Sequence, residues 1–244
     1  MDVGARETIF VTAANDPFCE AARTLIESIR VHYPEQKIIL YDLGLSKENI
    51  ISLQDQAKVK PFNFSNYPAF FDISKNAGEY AWKPTLLWQE VQLHSNAYVF
   101  WLDAGDLVVN ELKLTLKLLA RYGIYVTNSS GTMDQWTHPK MLEGFGISQQ
   151  RAQTLQNIAA CFIGVDTQQA GAVDVIRQWA RCALSKETIA PPGSDRSNHR
   201  QDQALLGCII YRDGILSRPL RKKRFGVIKE VIFHNNKPKK LNKK

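Results

Sequence analysis

The residues of this chain best suited to chemistry stand at the end of an apolar run. Val99-Phe100-Trp101-Leu102 leads into Asp103-Ala104-Gly105-Asp106, and Leu107-Val108-Val109 is apolar again. A carboxylate carried into low dielectric needs a partner, because an unpaired buried charge is very costly. At the carboxyl end of a strand in an open α/β sheet, such a group faces the crevice where ligands bind. A hard divalent cation and a diphosphate are fitting partners there. An Asp-Gly turn after a core strand is the alternative reading of the same residues.

Other residues invite similar readings. Pro84 marks a helix start beside Lys83, and a cation at a helix N-terminus favours an anion; a surface lysine is the alternative. His199 and Arg200 suit a phosphate or another anion, since Arg offers a fixed fork of donors. Asp202 follows at the start of a helix containing Leu205 and Leu206, where an N-cap role is worth roughly 1 kcal/mol. Trp136 and His138 fall in Asn128–Gly146, rich in Gly, Ser, Thr, Pro and aromatics. Long connections of this kind are often functional, and an aromatic face with a polar handle stacks on sugars or bases. Trp82 reads as core.

The elements that must position these residues alternate in type. Thr8–Thr12, Lys37–Asp42, Val59–Phe64, the run ending at Asp103, Gly123–Thr127, Cys161–Asp166 and Val227–Phe233 read as strands. Helices are expected over Phe18–His32 (with Asp16 as N-cap and Pro17 at the first position), from Ser46 to Leu53, from Trp82 to about His94, and over Leu112–Arg121. Two more are expected from Gln168 to about Leu184 and over Asp202–Tyr211. The alternation predicts an α/β single domain with a mainly parallel sheet flanked by helices.

At 244 residues with 44% hydrophobic and 23% charged residues, the chain can bury a sizeable core. No run reaches the ~20 apolar residues of a membrane span, and the first residues lack the pattern of a signal peptide. The expected location is cytoplasmic or peripheral to a membrane, or a secretory lumen if an anchor was removed. The sequons at Asn63 and Asn128 matter only in that last case. From Arg212 onward there are 12 Lys/Arg against 2 Asp/Glu, while the remainder carries 19 against 22. The basic character therefore belongs to the C-terminal segment, read as residues 218–244 after a domain over 1–217. Such a segment suits an anionic membrane surface, a diphosphate or nucleic acid; no nucleic-acid-binding motif accompanies it. Cys19, Cys161, Cys182 and Cys208 show no metal spacing, and Cys19, Cys161 and Cys208 read as core thiols.

Six segments in order carry a resemblance: Phe10-Val11-Thr12-Ala13-Ala14, Tyr41-Asp42-Leu43-Gly44-Leu45, Tyr80-Ala81-Trp82-Lys83-Pro84, Trp101-Leu102-Asp103, Trp136-Thr137-His138-Pro139 and Asn198-His199-Arg200-Gln201-Asp202-Gln203. From about Thr8 to Tyr211 the chain resembles the GT-A superfold of nucleotide-sugar glycosyltransferases, and within it an uncharacterised glycosyltransferase-like family of unknown function. The resemblance implies a Rossmann-like GT-A sheet. It implies a nucleotide-sugar donor, UDP- favoured over GDP-, held near Lys83, Asp103, Ala104, His199 and Arg200. It implies Mn²⁺ or Mg²⁺ at an Asp-x-Asp, and here Asp103 matches the first Asp while Gly105 replaces the last. Asp106, one residue on, is the substitute ligand if the strand has ended there. Asp202 and Gln203 inherit positions near the donor sugar and the reaction centre. His234-Asn235-Asn236-Lys237-Pro238 resembles the C-terminal metal-binding His and Lys-Pro of glycogenin-like transferases. The acceptor would be a glycan, a lipid-linked sugar or a protein.

The expected activity is sugar transfer from a nucleotide diphosphate, with electrostatic stabilisation of the leaving group. Three competing readings predict different behaviour. An inactive GT-A-like domain would bind nucleotide, glycan or partner without turnover. A nucleic-acid-binding module would be salt-sensitive through its basic segment. A glycoside hydrolase would need carboxylates ~5 Å or more apart across the sugar.

Overall fold

The structure, a computed structural model, describes residues 6–215 and 230–232. Its strands are β1 (Glu7–Ala14), β2 (Lys37–Asp42), β3 (Lys58–Pro61), β4 (Ala97–Leu102), β5 (Leu107–Val108), β6 (Ile124–Thr132), β7 (Gln156–Asp166) and β8 (Val231–Ile232). The helices are α1 (Cys19–His32), α2 (Lys47–Leu53), α3 (Trp82–Leu93), α4 (Lys113–Tyr122), α5 (Met133–Trp136), α6 (Pro139–Gly144), α7 (Gln149–Ala152), α8 (Ala170–Ala183), α9 (Lys186–Ile189) and α10 (Gln201–Asp213).

Six strands form one sheet in the order β3-β2-β1-β4-β7-β6. The pairs β3–β2, β2–β1 and β1–β4 are parallel, whereas β7 is antiparallel to both of its neighbours. The sheet is therefore mostly parallel, flanked by helices, in one domain. Its strands alternate between two cores with the period of two that a pleat imposes. Ile9, Val11, Val99 and Trp101 face one side with Leu86 and Leu87 of α3, Trp179 of α8 and Leu205 of α10. Phe10, Phe100 and Leu102 face the other with Leu25, Ile26 and Ile29 of α1. Burial on both faces is why these strands read as continuous apolar runs. The helix α10 is buried along most of its length, so it carries apolar residues all round.

Several expectations are corrected. Asp16 does not cap α1: Asn15 precedes a short 3₁₀ turn, Asp16–Phe18. The Asp16 carboxylate instead accepts from Ser46 N (2.6 Å) and Asn49 Nδ2 (2.9 Å), fixing the start of α2. Ser46 caps α2 as expected, accepting from Asn49 N. Asn128–Gly146 is not a long loop. β6 runs on to Thr132 along β7 with irregular register, and α5 and α6 follow. Its polar Asn-Ser-Ser-Gly face is partly exposed, which hides a strand from a hydrophobicity pattern. None of the four cysteines is in a disulfide. Cys19 and Cys208 are buried, but Cys161 is only half-buried.

The late strand is seen as Val231–Ile232, antiparallel to β5; the rest of Val227–Phe233, and nearly all of the basic segment, lies outside the described residues. Glu230 is tied to the fold. Its carboxylate accepts from Leu114 N (2.7 Å), Thr115 N (3.1 Å) and Thr115 Oγ1 (2.6 Å). An acidic side chain distant in sequence thus supplies the N-terminal cap of α4, where the helix dipole favours negative charge. Among the described residues no helix is long and apolar enough to cross a membrane.

Candidate functional site

The site lies at the carboxyl edge of the sheet. β4 ends at Leu102. The next residue, Asp103, donates its N–H to Cys161 O (2.9 Å), and Asp106 N donates back to Asp103 O (2.8 Å), so the chain turns over Ala104-Gly105. Trp101 Nε1 donates to Asp103 Oδ1 at 2.8 Å and fixes the carboxylate.

Lys83, in the first turn of α3, reaches the same atom. Its side chain is 5% exposed, with Nζ 2.8 Å from Asp103 Oδ1 and 3.0 Å from Asp202 Oδ2. The surface-lysine alternative is thereby excluded. The rings of Tyr80 and Trp101 flank the ammonium at 5.9 and 5.7 Å. Burial pulls the Lys83 pKa down, but Asp103 and Asp202 together outweigh it and hold the group above the ordinary lysine value. Burial pushes the Asp202 carboxyl above the usual carboxylate range, against the pull of Lys83.

Asp202 is not a helix cap. Arg200 occupies the N-cap of α10 and makes no side-chain cap bond. Asp202 lies inside the first turn, and its backbone carbonyl accepts from Trp179 Nε1 (2.8 Å). The backbone bringing Lys83 and Asp202 together is strained. Asn76, Ala77, Gly78, Glu79 and Tyr80 have φ of 49, 54, 61, 51 and 55°, a left-handed turn immediately before α3. Each non-glycine residue there costs roughly 1–2 kcal/mol. Gln201, next to Asp202, also has positive φ, 23°. The buried Glu79 joins the two strained segments. It accepts from Asn76 Nδ2 (3.2 Å) and from Gln201 Nε2 (3.3 Å). Trp82 Nε1 donates to Ala77 O at 3.0 Å. Strain held by such surroundings is characteristic of functional sites.

Two arginines border this centre. The Arg200 guanidinium lies 4.1 Å from the Trp136 ring, and Arg200 N donates to Trp136 O (3.1 Å). Arg196 lies 5.3 Å from the Tyr80 ring that also faces Lys83, and Nη1 donates to Gln201 Oε1 (3.4 Å). Burial first, then the charge of Arg196, lowers the Arg200 pKa.

The remaining expected site residues take varied places. His199 is corrected: it is fully buried, Nδ1 accepts from His138 N (3.2 Å), and Nε2 bonds to Ile189 O (2.8 Å). Burial pulls its pKa down to about 4, so it stands as a neutral structural group with no nitrogen left for a phosphate. His138 caps α6, accepting from Lys140 N (3.3 Å). One face of Trp136 is taken by Arg200. Ala104 is buried, and Gln203 is half-buried on α10. His234 lies outside the described residues.

The described residues do not form a donor set for a divalent ion. Asp103 Oδ1 is already held by an indole N–H and an ammonium. Gly105 contributes no ligand, Asp106 is buried to 1% exposure, and no group of three His, Cys, Asp or Glu side chains among the described residues converges on a point that could hold a metal.

Sequence reasoning missed three features. Arg196 and Glu79 gave no signal, because neither belongs to a periodic pattern. At the end of β1, Thr12 Oγ1 and Asn15 Oδ1 are buried with no hydrogen-bond partner among the described residues. At the ends of β2 and β3, a cavity of about 460 Å³ is lined by Asp42, Leu43, Gly44, Pro61, Phe62 and Phe64 among others. Thr12 belongs to the Phe10–Ala14 run, but only the fold shows that its hydroxyl lacks a partner among the described residues.

A family model described as "Protein of unknown function (DUF1647)" matches residues 2–88. No curated protein sequence matches the chain. Solved structures match in fold. A galactosyltransferase, LgtC, in complex with donor and acceptor sugar analogues is 14% identical over 87% of this chain and 72% of its own, with a TM-score of 0.51. The WbbM bifunctional glycosyltransferase is 14% identical over 91% of this chain and 39% of its own, with a TM-score of 0.54. Core-mannan synthase A (CmsA/Ktr4) from Aspergillus fumigatus, in a Mn/GDP form, is 7% identical over 85% of this chain and 70% of its own, with a TM-score of 0.51. The fold is thus the GT-A glycosyltransferase fold.

Proposed function

We propose that this chain is a glycosyltransferase that takes its sugar from a nucleotide diphosphate. The observation that carries the reading is the Lys83 ammonium held between Asp103 at the end of β4 and Asp202 at the start of α10. In a GT-A fold this edge of the sheet is the place for a donor, and ligands of open α/β sheets bind outside the strand ends. The cavity at the ends of β2 and β3 suits the nucleoside half, and at the end of β1 the buried Thr12 and Asn15 oxygens, without a partner among the described residues, offer it further polar contacts. Asp103 and the buried Ala104 then border the ribose and diphosphate.

Transfer builds negative charge on the leaving diphosphate while the sugar carbon becomes cation-like. Lys83 and Arg200 stabilise that charge as fixed groups in a water-poor site, where they need no reorganisation. Asp202 stands nearest the reacting sugar. Its raised carboxyl pKa is the direction expected of a general base working near neutral pH. Gln203, one residue on and half-buried, takes a sugar hydroxyl in this reading. Trp136 and His138 border the acceptor side, where a glycan, lipid-linked or protein acceptor would approach. Residues 218–244 form a basic extension of the domain that suits an anionic surface.

A donor screen that measures nucleotide release, paired with calorimetry using UDP, GDP and CMP, tests the reading. Binding of one nucleotide and release from its sugar conjugate are expected, with UDP the strongest. Failure to bind any of the three overturns the proposal. Binding without turnover on any donor supports an inactive domain instead.

A further inference from the structure

We infer that the donor diphosphate is neutralised by fixed protein cations, Lys83, Arg196 and Arg200, and not by a divalent metal. The inference rests on the nucleotide-sugar reading above.

Three observations carry it. First, one oxygen of the carboxylate that would anchor an ion is already committed. Asp103 Oδ1 receives Trp101 Nε1 and Lys83 Nζ, each at 2.8 Å. A divalent ion on Asp103 would stand against an ammonium that is itself buried, and like charges repel strongly where water is scarce. Second, the position two residues after Asp103 is Gly105, which carries no side chain, and Asp106, one residue further round the turn, is buried to 1% exposure. Third, the edge carries cations without counter-charges. Among the described residues, neither Arg196 nor Arg200 has a carboxylate within ion-pair distance, unlike Lys83 beside them.

These cations share one neighbourhood. The Tyr80 ring lies 5.9 Å from Lys83 Nζ and 5.3 Å from the Arg196 guanidinium. The charge of Arg196 lowers the Arg200 pKa, so the two guanidinium groups feel each other. Each lies over an aromatic ring, Arg196 over Tyr80 and Arg200 over Trp136. Two mutually repelling arginines without carboxylates are stabilised when an anion bridges them, and the planar fork of each matches two phosphate oxygens. Asp202 and Asp103 together offset the single charge of Lys83, so the two arginines supply the cationic excess that a diphosphate requires.

Calorimetry of UDP and GDP binding to the full chain in excess EDTA, and again in excess MnCl₂, tests this. The affinity in EDTA should equal that in Mn²⁺ and should fall as ionic strength rises. Arg196→Gln and Arg200→Gln should each weaken binding in EDTA by about tenfold or more, with melting temperatures near the parent value as the control for folding. Binding seen only with Mn²⁺ overturns the inference and leaves the glycosyltransferase reading intact. Binding in EDTA that neither variant weakens also overturns it. Absence of binding in both conditions overturns the inference together with the reading beneath it.

Discussion

Lys83 Nζ and Asp202 Oδ2 lie 3.0 Å apart, although they begin two helices separated by half of the fold. Each is nearly out of water, with side-chain exposures of 5 and 8%. Removing one member of such a pair leaves a buried charge uncompensated. Lys83→Met should therefore cost about 3–5 kcal/mol. Denaturant unfolding measures this, and the loss should exceed that of Asp202→Asn, which keeps a polar group of the same shape.

Asp202→Asn separates binding from chemistry. The amide preserves the size of the side chain but can neither accept a proton nor carry charge. Nucleotide affinity should change little, while turnover on the identified donor should fall by about 10²-fold or more. Single-turnover kinetics checks this; a variant with near-normal turnover would remove Asp202 from the chemistry.

The left-handed turn before α3 should be intolerant of a side chain at its centre. Gly78 has φ of 61°, and a Cβ there would lie 2.3 Å from the Phe71 carbonyl oxygen. The obstacle is backbone and cannot rotate away. Gly78→Ala should cost about 3 kcal/mol, combining left-handed strain and overlap. In a chain of this size that appears as a fall in melting temperature of roughly 6–12 °C. Nucleotide affinity should fall with it, because Lys83 follows the turn directly.

His199 predicts a pH dependence. Its folded pKa is about 4, below the usual histidine value of about 6.5, because burial disfavours the charged ring. Between these values the unfolded chain binds the proton that the folded chain refuses, so stability falls as pH drops through the window. The loss should reach roughly 3 kcal/mol by pH 4 and vanish above pH 6.5. Denaturant unfolding of the parent and of His199→Gln from pH 4 to 7.5 checks this. The variant is expected to be less stable at neutral pH but to lose the part of the slope due to this ring.

The sequence by itself determined most of the scaffold. The runs at Thr8–Thr12, Lys37–Asp42 and Val99–Leu102 became neighbouring strands, because burial on both faces writes continuous apolar runs into the chain. Ser46 signalled the start of α2 through a local backbone bond, which sequence can carry. Lys83, Asp103 and Asp202 were each legible as candidates, yet each had a bland alternative of equal local merit. Only the tertiary structure brought them together, by burying Lys83 and Asp202, leaving Asp103 partly exposed, and placing both carboxylates within 3.0 Å of the Lys83 nitrogen. It made His199 structural by spending both ring nitrogens on backbone groups. It also imposed a left-handed turn on Asn76–Tyr80, where four of five residues carry a Cβ and local sterics favour the opposite hand. The physical reason is the same throughout. Apolar periodicity and caps act between residues close along the chain, whereas charge pairing and strain depend on groups that meet only after folding.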